Sequence, residues 1–132
     1  MSTVTILGSR GETDVPEDDL ILGTDFTFAV DLTSDGSPTG TAVALTGYAL
    51  QFVLRRPNAT ETDIPLLSKT TGGGGITIGD GSGTDDRASI AIARADHLDI
   101  GPGWAEWALW RTDTNRVLAS GRVFLTARPR QV

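Results

Sequence analysis

Apolar and polar residues alternate with a period of two along much of this chain. In residues 25–32, Phe26, Phe28, Val30 and Leu32 fall on one side and Thr27, Ala29 and Asp31 on the other. Strict alternation of this kind predicts a half-buried strand. Residues 47–56 repeat it, with Tyr48, Leu50, Phe52 and Leu54 facing one way and Pro57 ending the run. Residues 64–71 read as a further strand, interrupted by the glycines at 72–75 and resumed at Ile76, Thr77 and Ile78. Residues 87–94 alternate with Ala88, Ile90 and Ile92 inward. Residues 104–112 place Ala105, Trp107 and Leu109 on one face and Trp104, Ala108 and Trp110 on the other. Asp113, Thr114 and Asn115 form a turn signal, and residues 117–127 return as the last strand. One helical turn fits 95–100, and no segment of about ten residues carries the helical period. The expectation is an all-β fold, an antiparallel β-sandwich of immunoglobulin-like type with about seven to eight strands. A small closed barrel is the alternative.

The front of the chain reads differently. Residues 4–7 form a possible strand, but 11–19 gather Glu12, Asp14, Glu17, Asp18 and Asp19 around Pro16, a poor composition for a core. Residues 1–22 are therefore set apart as an N-terminal arm or connector, and 23–132 as the sandwich domain. Charge is polarised along the chain. Arg10 stands alone in residues 1–35 against Glu12, Asp14, Glu17, Asp18, Asp19, Asp25, Asp31 and Asp35. Residues 111–132 hold Arg111, Arg116, Arg122, Arg128 and Arg130 against Asp113. Two solvated surfaces account for this, or two surfaces facing each other within one domain. The sharper reading is head-to-tail association or docking on an oppositely charged partner, which predicts sensitivity to salt.

Composition narrows the function classes. The chain has 132 residues, enough for one domain with a real core. It has no cysteine, so disulfides, thiolate metal sites and a cysteine nucleophile are excluded. A net charge of −6 argues against nucleic acid as a partner. No basic leader precedes an apolar run, and no apolar stretch approaches the ~18 residues of a membrane helix. The expectation is a protein made in a cytoplasm without a signal peptide and without a membrane partner.

Candidate chemistry is sparse. His97 is the single histidine, beside Asp96, with no Gly-x-Ser-x-Gly elbow to supply a nucleophile. The carboxylates lie mostly in loops, whereas a glycosidase needs two across a cleft. Asp80, Ser82, Thr84 and Asp86 alternate as calcium ligands do, yet Asp85 stands where the loop glycine belongs and Ala91 where the bidentate glutamate belongs. The same residues are ordinary turn formers. The glycines at 72–75 lack the Lys-Ser/Thr of a phosphate loop and suit a bend or bulge. No cofactor and no metal is expected. Trp104 and Trp110 share one strand face about 20 Å apart. They serve a core or subunit contact, or, on an exposed face, a platform for sugars.

One pattern goes further. Residues 23–32, G-T-D-F-T-F-A-V-D-L, precede residues 44–55, A-L-T-G-Y-A-L-Q-F-V-L-R. This resembles the N-terminal domain of tailed-phage upper baseplate proteins, with Thr24 inserted where that pattern joins glycine directly to aspartate. The later pieces follow in order, through Thr70-Thr71-Gly72-Gly73, Ala88-Ser89-Ile90-Ala91-Ile92, Gly103-Trp104 and Gly121-Arg122-Val123-Phe124-Leu125. The resemblance covers about residues 20–127. It implies an immunoglobulin-like scaffold that joins or binds without catalysis, located in the virion, with other virion proteins as partners and self-association into a homo-oligomer. Tail, baseplate and capsid decoration are all compatible with it. The alternative is a carbohydrate- or host-receptor-binding module, with a glycan as partner. The candidate contact residues are Val4 and Ile6 for strand exchange, Glu12, Asp14, Glu17, Asp18 and Asp19 for charge, Trp104 and Trp110 for apolar contact, and Arg128 and Arg130.

Overall fold

In a computed structural model, the structure describes residues 2–8, 20–21, 26–33, 41–59, 64–81, 83–97 and 100–126. Nine strands occur among them, namely β1 Ser2–Gly8, β2 Leu20–Ile21, β3 Phe26–Leu32, β4 Leu50–Arg55, β5 Leu67–Thr70, β6 Ile76–Gly79, β7 Arg87–Ile92, β8 Gly103–Arg111 and β9 Arg116–Thr126. A 3₁₀ turn, Arg94–His97, starts one residue before the stretch 95–100 that carried the helical signal and overlaps its first half. The strands form two sheets, ordered β1-β3-β7-β6 and β2-β9-β8-β4-β5. Their inner faces close over one core, giving the immunoglobulin-like sandwich. Pairing is antiparallel except at two edges, where β1 runs parallel to β3 and β2 parallel to β9. Segment 1–22 thus contributes an edge strand to each sheet.

The core follows from alternation. Phe28, Val30 and Leu32 on β3, Leu50, Phe52 and Leu54 on β4, Ile90 and Ile92 on β7, and Ala105, Trp107 and Leu109 on β8 are all buried. Phe28 meets Trp107 edge-on at 5.1 Å and Phe52 at 5.2 Å, while Phe52 and Trp107 stack at 6.2 Å. Antibody domains join the strands equivalent to β3 and β8 by a disulfide and pack a tryptophan beside it. This chain has no cysteine, and the three rings fill that position instead. Gly121 lies directly across from Trp107 in the β8–β9 register, so the indole has no neighbouring side chain there to compete for space.

Two expectations are corrected. The run 64–71 and its continuation at 76–78 are not one interrupted strand. β5 pairs with β4, β6 pairs with β7, and the two lie in different sheets. The glycines between them carry the chain from one sheet to the other, with Gly74 at φ +80°, where a side chain would be strained. The polar side of β3 is also not a solvent face. Ala29 and Asp31 are both buried, and at Asp31 the Arg87 guanidinium donates to the carboxylate at 2.5 and 2.8 Å while the Gly81 backbone packs on it.

Candidate interaction surface

Alternation along β8 turns Trp104, Glu106, Ala108 and Trp110 away from the core, onto the outer face of the five-stranded sheet. Trp104 pairs across the ladder with Phe124 of β9, and the rings meet edge to face at 5.2 Å. The Arg122 guanidinium stands 5.6 Å from the Trp104 ring centre. Trp104 is 54% exposed and Phe124 36%, so this end of the face presents an apolar spot beside a cation. Its backbone is braced, because Arg56 donates to the carbonyls of Trp104 at 3.2 Å and Gly101 at 2.7 Å.

The middle of the face is low. The register aligns Val53, Ala108 and Ser120, whose small side chains floor a groove of about 280 Å³ walled by Arg55, Glu106 and Trp110. A neighbouring hollow of about 310 Å³ continues past Trp110 to Gln51, Thr112 and Asn115. At the far end Arg111 holds Asp113 through two bonds of 2.8 and 3.0 Å and lies 3.8 Å over the Tyr48 ring. Hydrogen bonding from Arg111, reinforced by its charge, holds the Asp113 carboxyl below the ordinary aspartate value.

A separate groove of about 640 Å³ is lined by Lys69, Thr70, the glycine turn and Asp96. Lys69 meets Asp96 at 2.8 Å, and the same Asp96 oxygen accepts the Ala93 amide at 2.7 Å. Both charges are therefore engaged in holding the fold. In the loop considered for calcium, Asp86 accepts the amides of Gly81 and Gly83 at 2.7 and 3.1 Å, and Asp80 accepts the Asp85 amide at 2.9 Å. These carboxylates face the loop's own backbone. Among the described residues no group of three or more acidic or imidazole side chains converges as a metal site would.

Of the candidate contact residues, Trp104 and Trp110 lie on the same outer face, at opposite ends. Trp110 is only half-buried and lines the groove. They do not form one platform, since Glu106 and Ala108 lie between them. Val4 and Ile6 lie on β1, in register with Phe28 and Val30 of the same chain. Glu12, Asp14, Glu17, Asp18, Asp19, Arg128 and Arg130 lie outside the described residues. Phe124 and Arg122 are not among those candidate contact residues. Their signal was present in the alternation of residues 117–127, but which strand lies beside Trp104 is set by sheet order.

No family model matches the chain, and no curated protein does. Solved structures do. The NK cell receptor NKp44, a triggering partner in natural cytotoxicity, aligns over 85% of this chain and 100% of its own, at 14% identity and a TM-score of 0.40. The N-terminal domain of phage TP901-1 ORF48 aligns over 98% of this chain and 100% of its own, at 9% identity and a TM-score of 0.53. The chain thus shares its immunoglobulin-like sandwich, nearly end to end, with the N-terminal domain of a phage protein.

Proposed function

We propose that this chain is a non-enzymatic structural module of a phage virion, made in the host cytoplasm, that docks on other virion proteins and self-associates. The observation that carries the reading is the end-to-end likeness to the N-terminal domain of phage TP901-1 ORF48. The motif resemblance of residues 23–32 and 44–55 to upper baseplate proteins points the same way. The outer face supplies a plausible means, since an exposed aromatic pair beside an arginine is the composition of an interface anchor. Many copies on a repetitive lattice need little affinity each.

The test is cosedimentation. A tagged copy, produced during lytic growth of the phage that encodes it, is expected in the particle fraction after lysis. Its recovery solely in the soluble lysate, with none in particles, would remove the virion reading. The half-exposed Trp104 ring favours one other reading, a glycan-binding module. A glycan that shifts Trp104 fluorescence in the wild type and not in Trp104→Ala would favour that reading instead.

A further inference from the structure

Across the outer face of the five-stranded sheet, side chains fall in rows set by the register. Gln51 pairs with Trp110, Val53 with Ala108 and Arg55 with Glu106. On the other side of β8, Ala108 pairs with Ser120 and Glu106 with Arg122. The row of small residues is therefore flanked by an aromatic row and a charged row. A strand rises about 3.3 Å per residue, so Glu106 and Trp110 stand about 13 Å apart along β8, with Ala108 between them on that face. Once the side chains of the walls are counted, such a trough is too narrow for a helix, which is about 10–12 Å across, and admits a single ring or one extended chain. Its two hollows, of about 280 and 310 Å³, meet at Trp110 and share Val53 and Arg55.

We propose that this trough binds an uncharged oligosaccharide, with one or two sugar rings lying against the Trp110 indole. The backbone of its floor is spent in the β4–β8 and β8–β9 ladders, so the groups it offers a ligand are side chains. An extended peptide laid across a sheet face finds no backbone partners there, whereas peptides that extend a sheet do so at an edge. Sugar hydroxyls each donate and accept, and the lining offers both roles. Arg55 supplies donors, Glu106 acceptors, and Gln51, Ser120, Thr112 and Asn115 both. The Gln51 amide is held in place, because its nitrogen donates to Ser68 at 3.0 Å. The half-buried Trp110 ring gives the C–H face of a sugar an apolar partner. Charge decides against an acidic sugar. Arg55 and Glu106 oppose each other in the ladder, and the Arg56 guanidinium is committed to the carbonyls of Trp104 and Gly101. The inference goes beyond the virion reading, and it holds for the chain inside or outside a particle. It also differs in place from a glycan at Trp104.

The experiment titrates the full chain with maltotetraose, cellotetraose and chitotetraose, and with tetragalacturonate as the acidic comparison. Binding is read by calorimetry and by tryptophan fluorescence. At least one of the uncharged sugars is expected to bind, and more tightly than tetragalacturonate. Trp110→Ala is expected to weaken that binding about tenfold or more. Ala108→Tyr, which fills the floor of the trough from an outward-facing position, is expected to do the same, with folding of both variants checked by circular dichroism. Trp104→Ala is expected to leave the affinity within about twofold, since it lies at the far end of the face. Failure of every uncharged sugar to bind would overturn the proposal, as would tighter binding of tetragalacturonate or an unchanged affinity in folded Ala108→Tyr. Loss in Trp104→Ala with none in Trp110→Ala would overturn it in favour of a site at Trp104. Cosedimentation does not depend on the sugars. A chain present in particles that binds no sugar loses only the trough proposal, and a chain absent from particles loses only the virion reading.

Discussion

Asp86 shows how single residues hold this fold. It is fully buried, and its two oxygens take the amides of Gly81 and Gly83, which bend the chain from β6 into β7. Gly83 is needed there for space, since a Cβ would come within 2.5 Å of the Ala42 Cβ. Gly83→Ala is expected to lower stability by about 1–3 kcal/mol, the usual cost of overpacking, read as a lower urea midpoint at unchanged slope. Asp86→Ala leaves two loop amides without their acceptor and is expected to cost about 1–3 kcal/mol in the same assay. Neither change touches the outer face of β8 and β9, so binding through that face stays intact in the folded fraction.

Between elements, the decisive contact is the meeting of β3, β4 and β8 at Phe28, Phe52 and Trp107. The rings span both sheets and stand where a disulfide would join them in an antibody domain. Among the described residues the buried Trp107 indole N–H has no hydrogen-bond partner, so its contribution is packing. Trp107→Phe is therefore expected to cost less than about 3 kcal/mol, because only ring volume is lost and no hydrogen bond goes with it. Trp107→Ala is expected to cost about 3–5 kcal/mol and to approach the whole stability of a small domain. Thermal unfolding of the two variants, followed by near-ultraviolet circular dichroism, checks the ordering. Equal losses in both would mean that the indole nitrogen has a partner.

Across the whole molecule, charge is set against an overall balance of −6. Arg55, Arg56 and Arg122 border the outer face of the five-stranded sheet, with Glu106 among them. A basic face on an acidic protein favours association with acidic surfaces, its own included, at low ionic strength. Molar mass by light scattering is expected to exceed that of one chain at low salt and to fall toward it at high salt. An unchanged single-chain mass at every salt concentration would remove self-association and leave docking on a different protein.

Fold class is legible in local pattern, because alternation with period two commits a segment to a strand with one buried side. Phe28, Phe52, Trp107 and Ile90 were legible as core on that ground alone, and the turn at Asp113–Asn115 on the chemistry of its residues. Trp104 was legible as belonging to the face opposite Trp107. Sheet membership was not legible. Residues 67–70 and 76–79 look like one strand broken by glycine, and only the tertiary structure separates them into two sheets, since hydrogen bonding to β4 or β7 is a choice between distant partners. The burial of Asp31 was hidden for the same reason, because the arginine that neutralises it lies 56 residues away. The partnership of Trp104 with Phe124 and Arg122 is likewise a property of strand order. Local pattern records which way a side chain points, whereas what it points at depends on pairings that close long loops and are decided by the packing of the whole chain.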